Sequence, residues 1–281
     1  MRKAVRGVGR LNTALGPRVL HSLLLTLVLL AASVVVMPVS VANAATSPVL
    51  AGAAGYSALG GAAVTCTGPT TTTGAVGVSP GSSITIVPVC TFGGGTNITN
   101  ASANAAQAGN LNAFGTLDQP CDHSYPDAQE LSGLSSPSSP LLPGVYCSVG
   151  SFLLTGHLYL APAPGVWIFK TVSTLITSSG SSVTGGDPCN VWWRIGSAAT
   201  LGTTTSFIGN ILTRDAADVT ALNTGATLNG RVLVGAAGTL TLNNNTITGP
   251  TCASSGGGGG GGGGPAAPAA PAVPAVPTFT G

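Results

Sequence analysis

The sequence predicts an all-β solenoid, and three observations carry that reading. First, residues 198–249 divide into three similar rows, offset by 21 and then 20 residues, so that Leu201, Leu222 and Leu242 align, as do Phe207, Leu228 and Ile247, and Gly209, Gly230 and Gly249. Second, apolar and small polar residues alternate within each row, the period of a half-buried strand. Third, Gly, Asn and Thr fill the breaks between the short strands, where corners must turn. A repeat near 20 residues that cannot bury its apolar side alone must stack on its neighbours, and stacked coils make a β-solenoid.

The chain has 281 residues, but the first 44 read as a secretory leader. Arg2, Lys3, Arg6, Arg10 and Arg18 precede the apolar stretch 20–37, and Ala42-Asn43-Ala44 offers a small-residue cleavage site. Five of the nine Lys and Arg lie in that leader. The four that remain, Lys170, Arg194, Arg214 and Arg231, stand against all seven acids, a net charge of −3. The basicity therefore belongs to targeting and excludes a nucleic-acid footprint. Six cysteines in a secreted chain imply disulfides. Fifteen pairings are open on sequence alone; the pairing favoured here is Cys66–Cys90, Cys121–Cys147 and Cys189–Cys252. With no C-x-x-C spacing and three scattered His, no metal site and no cofactor are expected.

Residues 45–63 are small and uncharged, with Tyr56, Leu59 and Val64 at strand-like intervals. Pro69 sets a corner before the Thr70–Thr73 run, and residues 82–89 form another short strand. Residues 99–117 are Ala-rich and free of Pro, with Ala101, Ala105, Ala108, Leu111 or Asn112, and Phe114 near a 3.6-residue spacing and Thr99 or Asn100 as N-cap. One helix is expected there, packed along the solenoid, with Gly109 as its weak point. Residues 118–143 hold five prolines and four acids (Asp118, Asp122, Asp127, Glu130) and read as a long loop, variable and bracketed by Cys121 and Cys147. Short strands resume from Gly144 and continue into the three rows. After Cys252 come nine consecutive glycines and an Ala/Pro/Val-rich run, a flexible coil and a stiffer spacer that together suggest a stalk. The domain organisation is therefore leader 1–44, solenoid 45–252 and tail 253–281.

Several segments in order carry a family resemblance. They are Thr67-Gly68-Pro69-Thr70 through Gly77-Val78-Ser79-Pro80-Gly81, Leu142-Pro143-Gly144-Val145-Tyr146, Trp167-Ile168-Phe169, Cys189-Asn190-Val191-Trp192-Trp193, residues 196–203, and Leu228-Asn229-Gly230-Arg231. Over roughly residues 48–252 the chain resembles the microbial ice-binding-like adhesin family. The resemblance implies an irregular right-handed β-solenoid of triangular section with one long helix alongside. It implies ice binding as well, an activity that not every member has. The Pro-rich segment between Cys121 and Cys147 departs from the family pattern and reads as a cap.

A face that holds ice must be flat, rigid and uncharged, with hydroxyls set among methyl groups to order its own water. With Leu201, Leu222 and Leu242 inward, Thr200, Ala221 and Thr241 point outward beside Ala198, Val219 and Thr239. This first face is the expected ice-binding one, extended by Thr70 and Thr72. The second, with Ser206, Thr227, Thr246, Ile208, Asn229, Thr248, Asn210 and Arg231 outward, reads as bumpier and charged.

Two rivals remain. A cell-surface or matrix adhesin of the same fold without ice activity would suit the stalk, with the cell wall or matrix as partner. A polysaccharide-acting enzyme would need converging carboxylates, for which Asp215 and Asp218 near Arg214 are the only candidates in the rows, and a coil-corner role suits them better. The expected protein is a secreted, non-enzymatic monomer whose partner is the ice surface.

Overall fold

The structure is a computed structural model that describes residues 44–249 and 252, apart from 88, 215 and 216. The leader and the tail expected from the sequence lie outside the described residues.

Each coil has three sides. The first coil runs β1 (Tyr56–Gly60), β2 (Ala63–Thr67) and β3 (Thr71–Thr72). The second runs β4 (Ala75–Val78), β5 (Ser83–Val87) and β6 (Thr91–Phe92), and β7 (Thr96–Ile98) stacks on β4 to begin the next. Helix α1 (Ala101–Thr116) follows, about 24 Å long and so about five rungs of the stack. It carries the chain to a coil of β8 (His123–Tyr125) and β9 (Gln129–Glu130). The stack then returns through β10 (Gly144–Ser148), β11 (Phe152–Leu154) and β12 (His157–Tyr159), and through β13 (Trp167–Thr171), β14 (Leu175–Thr177) and β15 (Ser182–Thr184). Next come β16 (Val191–Ile195), β17 (Ala199–Leu201), β18 (Ser206–Thr213), β19 (Val219–Leu222), β20 (Thr227–Leu233), β21 (Thr239–Asn243) and β22 (Thr246–Ile247).

All the strand pairs are parallel. One sheet runs β5-β2-β21-β19-β17-β14-β11-β9. The last coil therefore meets the first: β21 lies between β19 and β2, and β22 pairs with β3. A search for tandem repeats sees only the returning coils, because the helix and the far coil separate the two halves of this stack in sequence.

Inward residues fill the triangle. Tyr146, Phe169, Trp193 and Phe207 stack from one coil to the next, and the exposed His123 covers Tyr146 at the end, with centroids 4.2–5.4 Å apart. Leu201, Leu222 and Leu242 are fully buried beside them. The third side is covered rather than free. There α1 and the segment before β1 pack on Leu59, Val145, Ile168, Trp192, Leu212 and Leu233. Trp193 thus faces the core while its neighbour Trp192 lies in the layer under the helix, its Nε1 donating to Ser47 Oγ.

Asn100 caps α1 by accepting from Ala103 N at 2.9 Å. The buried stripe of the helix is Ala103, Ala106, Gly109, Asn110, Ala113 and Phe114, so the expected spacing through Ala101, Ala105, Ala108 and Leu111 is out of phase; all four are exposed. The reason is the close approach of the segment before β1. A Cβ on Gly109 would stand 2.3 Å from Leu50 O, and one on Gly52 2.6 Å from the Ala105 carbonyl carbon. Small size sets this contact, and alanine marks neither face.

The segment expected as a loop, 118–143, is instead the end coil. β8 pairs with β10 and β9 with β11. Three of its four acids bind backbone: Asp122 accepts from Val145 N, Asp127 from Ser151 N and Glu130 from Ser132 N and Thr155 N. Three disulfides, Cys66–Cys90, Cys121–Cys147 and Cys189–Cys252, pin the two ends of the stack and the end of the described chain.

Candidate functional site

Two sides of the triangle are open. The first carries the residues chosen from the sequence. In register across it stand Thr85, Thr65, Thr241, Ala221, Thr200, Ile176, Leu153 and Glu130. Beside them lie Ser83, Ala63, Thr239 and Val219, with Ala198 at the corner that leads into β17. Thr65, Thr241, Ala221 and Thr200 are half-buried; Thr85, Val219 and Ile176 are exposed. The hydroxyl row is interrupted at Ala221, ends at Ile176 and Leu153, and meets a carboxylate at Glu130.

Thr70 and Thr72 do not extend this face. They belong to the second side, through β3, and both point inward, Thr70 being 0% exposed. Thr70 Oγ1 donates to Thr67 O and accepts from Asn245 N, and Thr72 Oγ1 donates to Gly74 O. The alternation passes the turn at Gly68 and Pro69 unchanged: Val64 and Cys66 point inward before it, and Thr70 and Thr72 point inward after it. The outward residues of this run are Thr71 and Thr73. The residues that do extend the first face, Thr65 and Thr85, were missed because β2 and β5 join the stack only through the return of the last coil.

The second side holds a longer run of hydroxyls. Thr91, Thr71, Thr246, Thr227, Ser206, Ser182 and His157 stand in register on seven consecutive rungs. Six of these seven bear hydroxyls, and all but the half-buried Ser182 are exposed. Two residues along each strand, Thr73, Thr248, Asn229, Ile208, Thr184 and Tyr159 form a parallel row. Rungs about 4.8 Å apart and alternate residues about 6.7 Å apart make a two-dimensional grid.

The charge assigned to this side from the sequence is elsewhere. Arg231 is 4% exposed and Asn210 0%. β18 and β20 each bend at a glycine, Gly209 (φ +101°) and Gly230, where a Cβ would stand 2.6 Å from Val191 O and 1.8 Å from Gly209 O. Beyond the bend both strands run on the covered third side. There Arg231 donates through Nε and Nη2 to Ala54 O, and through Nη1 to Asn210 Oδ1. Burial lowers its pKa from the ordinary arginine value.

The acids assemble no catalytic group among the described residues. Asp118 pairs with Lys170 at 2.9 Å and Arg194 at 3.4 Å, and the hydrogen bond from Lys170 holds its pKa below the usual carboxylate value. Asp187 accepts from Cys189 N and Asn190 Nδ2, and Asp218 from Ser197 Oγ. Asp215 lies outside the described residues. Glu130 is partly desolvated, which raises its pKa, but hydrogen bonds from Ser132 and Thr155 outweigh that and leave it lowered. Each described acid is thus engaged in holding a corner or an end of the fold.

A family profile described as "Ice-binding-like" matches residues 58–248. A protein of Nostoc sp. (strain HG1) named "Ice-binding protein" is 40% identical over 176 residues, 61% of this chain and 64% of that protein. The match thus spans just under two thirds of that relative. An "Ice-binding protein" of Flavobacterium frigoris (strain PS1) is 31% identical over 195 residues, 62% of this chain and 67% of that protein. The crystal structure of an ice-binding protein from the Antarctic ascomycete Antarctomyces psychrotrophicus superimposes with a TM-score of 0.67 at 30% identity, covering 74% of this chain and all of that one.

Proposed function

The chain belongs to the ice-binding-like family, and from that premise we propose that it adsorbs to ice through the second open side of the solenoid and so inhibits ice growth and recrystallisation. The observation that carries this choice of side is the hydroxyl row Thr91, Thr71, Thr246, Thr227, Ser206 and Ser182, one hydroxyl per rung without a gap. Each Thr sets a methyl beside its hydroxyl. Water held over the methyls by hydroxyl anchors, on a grid fixed by the backbone, can join a growing lattice without being reordered. Only His157 at one end of the row can bear charge. The core aromatic stack and the three disulfides keep the grid rigid.

The first side is the second reading, favoured by Thr85, Thr65, Thr241 and Thr200 together with Ala198, Val219, Ala221 and Thr239. A pair of bulky substitutions separates the two. Thr227→Tyr and Thr241→Tyr, one at the middle of each face, are measured for thermal hysteresis beside the parent chain, with circular dichroism as the control for folding. The proposal expects Thr227→Tyr to remove most of the hysteresis and Thr241→Tyr to keep it. The reverse result assigns ice to the first side. A parent chain that is folded but gives no hysteresis, no crystal shaping and no recrystallisation inhibition belongs to the adhesin reading.

The same reading makes the protein a secreted, non-enzymatic monomer. The leader-like residues 1–44, the disulfides and the stalk-like tail 253–281 support export, with tethering to a wall or matrix through that tail as its further step.

A further inference from the structure

Four cationic side chains remain in the chain after the leader, and three of them line one cleft. Lys170, Arg194 and Arg214 stand on three consecutive coils where β13, β16 and β18 end, beside the C-terminal end of α1. The cleft is about 520 Å³. Its acid is Asp118, already paired with Lys170 and Arg194. Among the described residues, three cations against one carboxylate leave two positive charges on a surface otherwise poor in charge.

The fold accounts for only part of this group. Lys170 Nζ donates to Gln119 O, and Arg194 Nε to Phe114 O with its guanidinium 4.2 Å over the Phe114 ring, so both help to cap the helix. Among the described residues, no hydrogen bond or ion pair uses Arg194 Nη1 or the third Lys170 proton. Arg214 is exposed and pairs with no described side chain. Burial lowers the Arg194 pKa, Asp118 opposes this, and Arg214 adds to it by like-charge crowding. Val149 and Val172, 71% and 68% exposed on adjacent coils, form an apolar ledge along the same cleft.

We propose that this cleft binds the carboxylates of an acidic polysaccharide, a uronate-bearing chain laid along the three cations with ring C–H faces on the Val149–Val172 ledge. Lys170 and Arg194 are register partners on adjacent rungs, about 4.8 Å apart, and Arg214 lies on the next rung, two residues beyond the partner of Arg194. The site is separate from the proposed ice face, so a protein held in an acidic matrix would keep that face free.

The test is calorimetric titration of the full chain, at low ionic strength, with an oligogalacturonate, a neutral galactose oligomer and a poly-glutamate peptide. The expected result is binding of the oligogalacturonate alone, weakened about fivefold by Arg214→Gln and restored by Arg214→Lys. Raising the salt to about 0.5 M should weaken it as well. Ice-growth inhibition unchanged in Arg214→Gln confirms that the variant is folded. No binding of oligogalacturonate, equal binding by Arg214→Gln, or equal binding of poly-glutamate or of the neutral oligomer overturns the proposal.

Discussion

Asn210 and Arg231 stand on neighbouring rungs, and the guanidinium donates to the Asn210 side-chain carbonyl at 3.0 Å. Two further hydrogen bonds, at 3.2 and 3.0 Å, run to Ala54 O. This one buried side chain ties the segment before β1 to two neighbouring rungs inside the stack, β18 and β20. It also sits where a strand without the Gly230 bend would have turned a charge toward the hydroxyl grid. Arg231→Met keeps the stem but leaves Asn210 Oδ1 and Ala54 O unsatisfied, which should cost about 2 kcal/mol. A lower melting temperature with unchanged hysteresis per folded molecule is expected. Unchanged stability would mean that the cost of burying the charge cancels the gain from its hydrogen bonds.

The solenoid was legible in the sequence because three returning coils lie in tandem, and the alignment of Leu201, Leu222 and Leu242 is the alignment of the sheet. The array of Thr91 and Thr71 on Thr246 was not legible. Those residues are neighbours only because the last coil stacks on the first, across a helix and an end coil. The inward position of Thr70 and Thr72 continues the alternation of Val64 and Cys66 past Gly68 and Pro69, and the sequence alone does not show that a corner with Gly and Pro keeps that phase. The burial of Arg231 depended on a bend at Gly230. That glycine aligns with Gly209 in the rows, so the signal was present, but it reads equally as a corner or as a bend.

Acid should weaken the fold through its paired carboxylates. Asp118 and Glu130 have pKa values below their ordinary 3.8 and 4.5. A group depressed in the folded state contributes stability above its unfolded pKa and loses it as pH falls through the folded one. Stability should therefore be level from about pH 8 to 5 and decline below about pH 4. Melting temperatures across that range check this. Asp118→Asn and Glu130→Gln should each flatten the decline, and a parent profile with no decline below pH 4 would show that neither group matters.

The Cys189–Cys252 bond closes 63 residues, the longest loop of the three. In the chain-entropy account a loop of that length is worth about 4 kcal/mol. The bond also holds the end of the described chain next to Arg231, whose Nη1 lies 3.6 Å from Cys252 Sγ. The paired change to serine should lower the denaturant midpoint while leaving hysteresis at low temperature in place, because neither cysteine reaches the hydroxyl grid.

Two glycines of one helix should respond with opposite sign to the same substitution. Gly109 and Gly115 both lie within α1, where Gly→Ala ordinarily stabilises by about 1 kcal/mol. Gly115 is exposed, and a Cβ there meets nothing within 4 Å, so Gly115→Ala should gain most of that amount. At Gly109 a Cβ would stand 2.3 Å from Leu50 O and 3.1 Å from Ala53 N, both backbone atoms that no rotamer change can move. The helix must then lift from the segment that also anchors Arg231, and the packing over Leu59, Leu212 and Leu233 loosens with it. The loss should exceed the helix-propensity gain and come to about 2 kcal/mol net. Denaturant melts of the two single variants and the double variant decide this. Since the two sites are six residues apart and share no partner, the double variant should sum the two effects. Stabilisation by both substitutions would mean that the helix rides higher over the solenoid than the close approach at Gly109 requires.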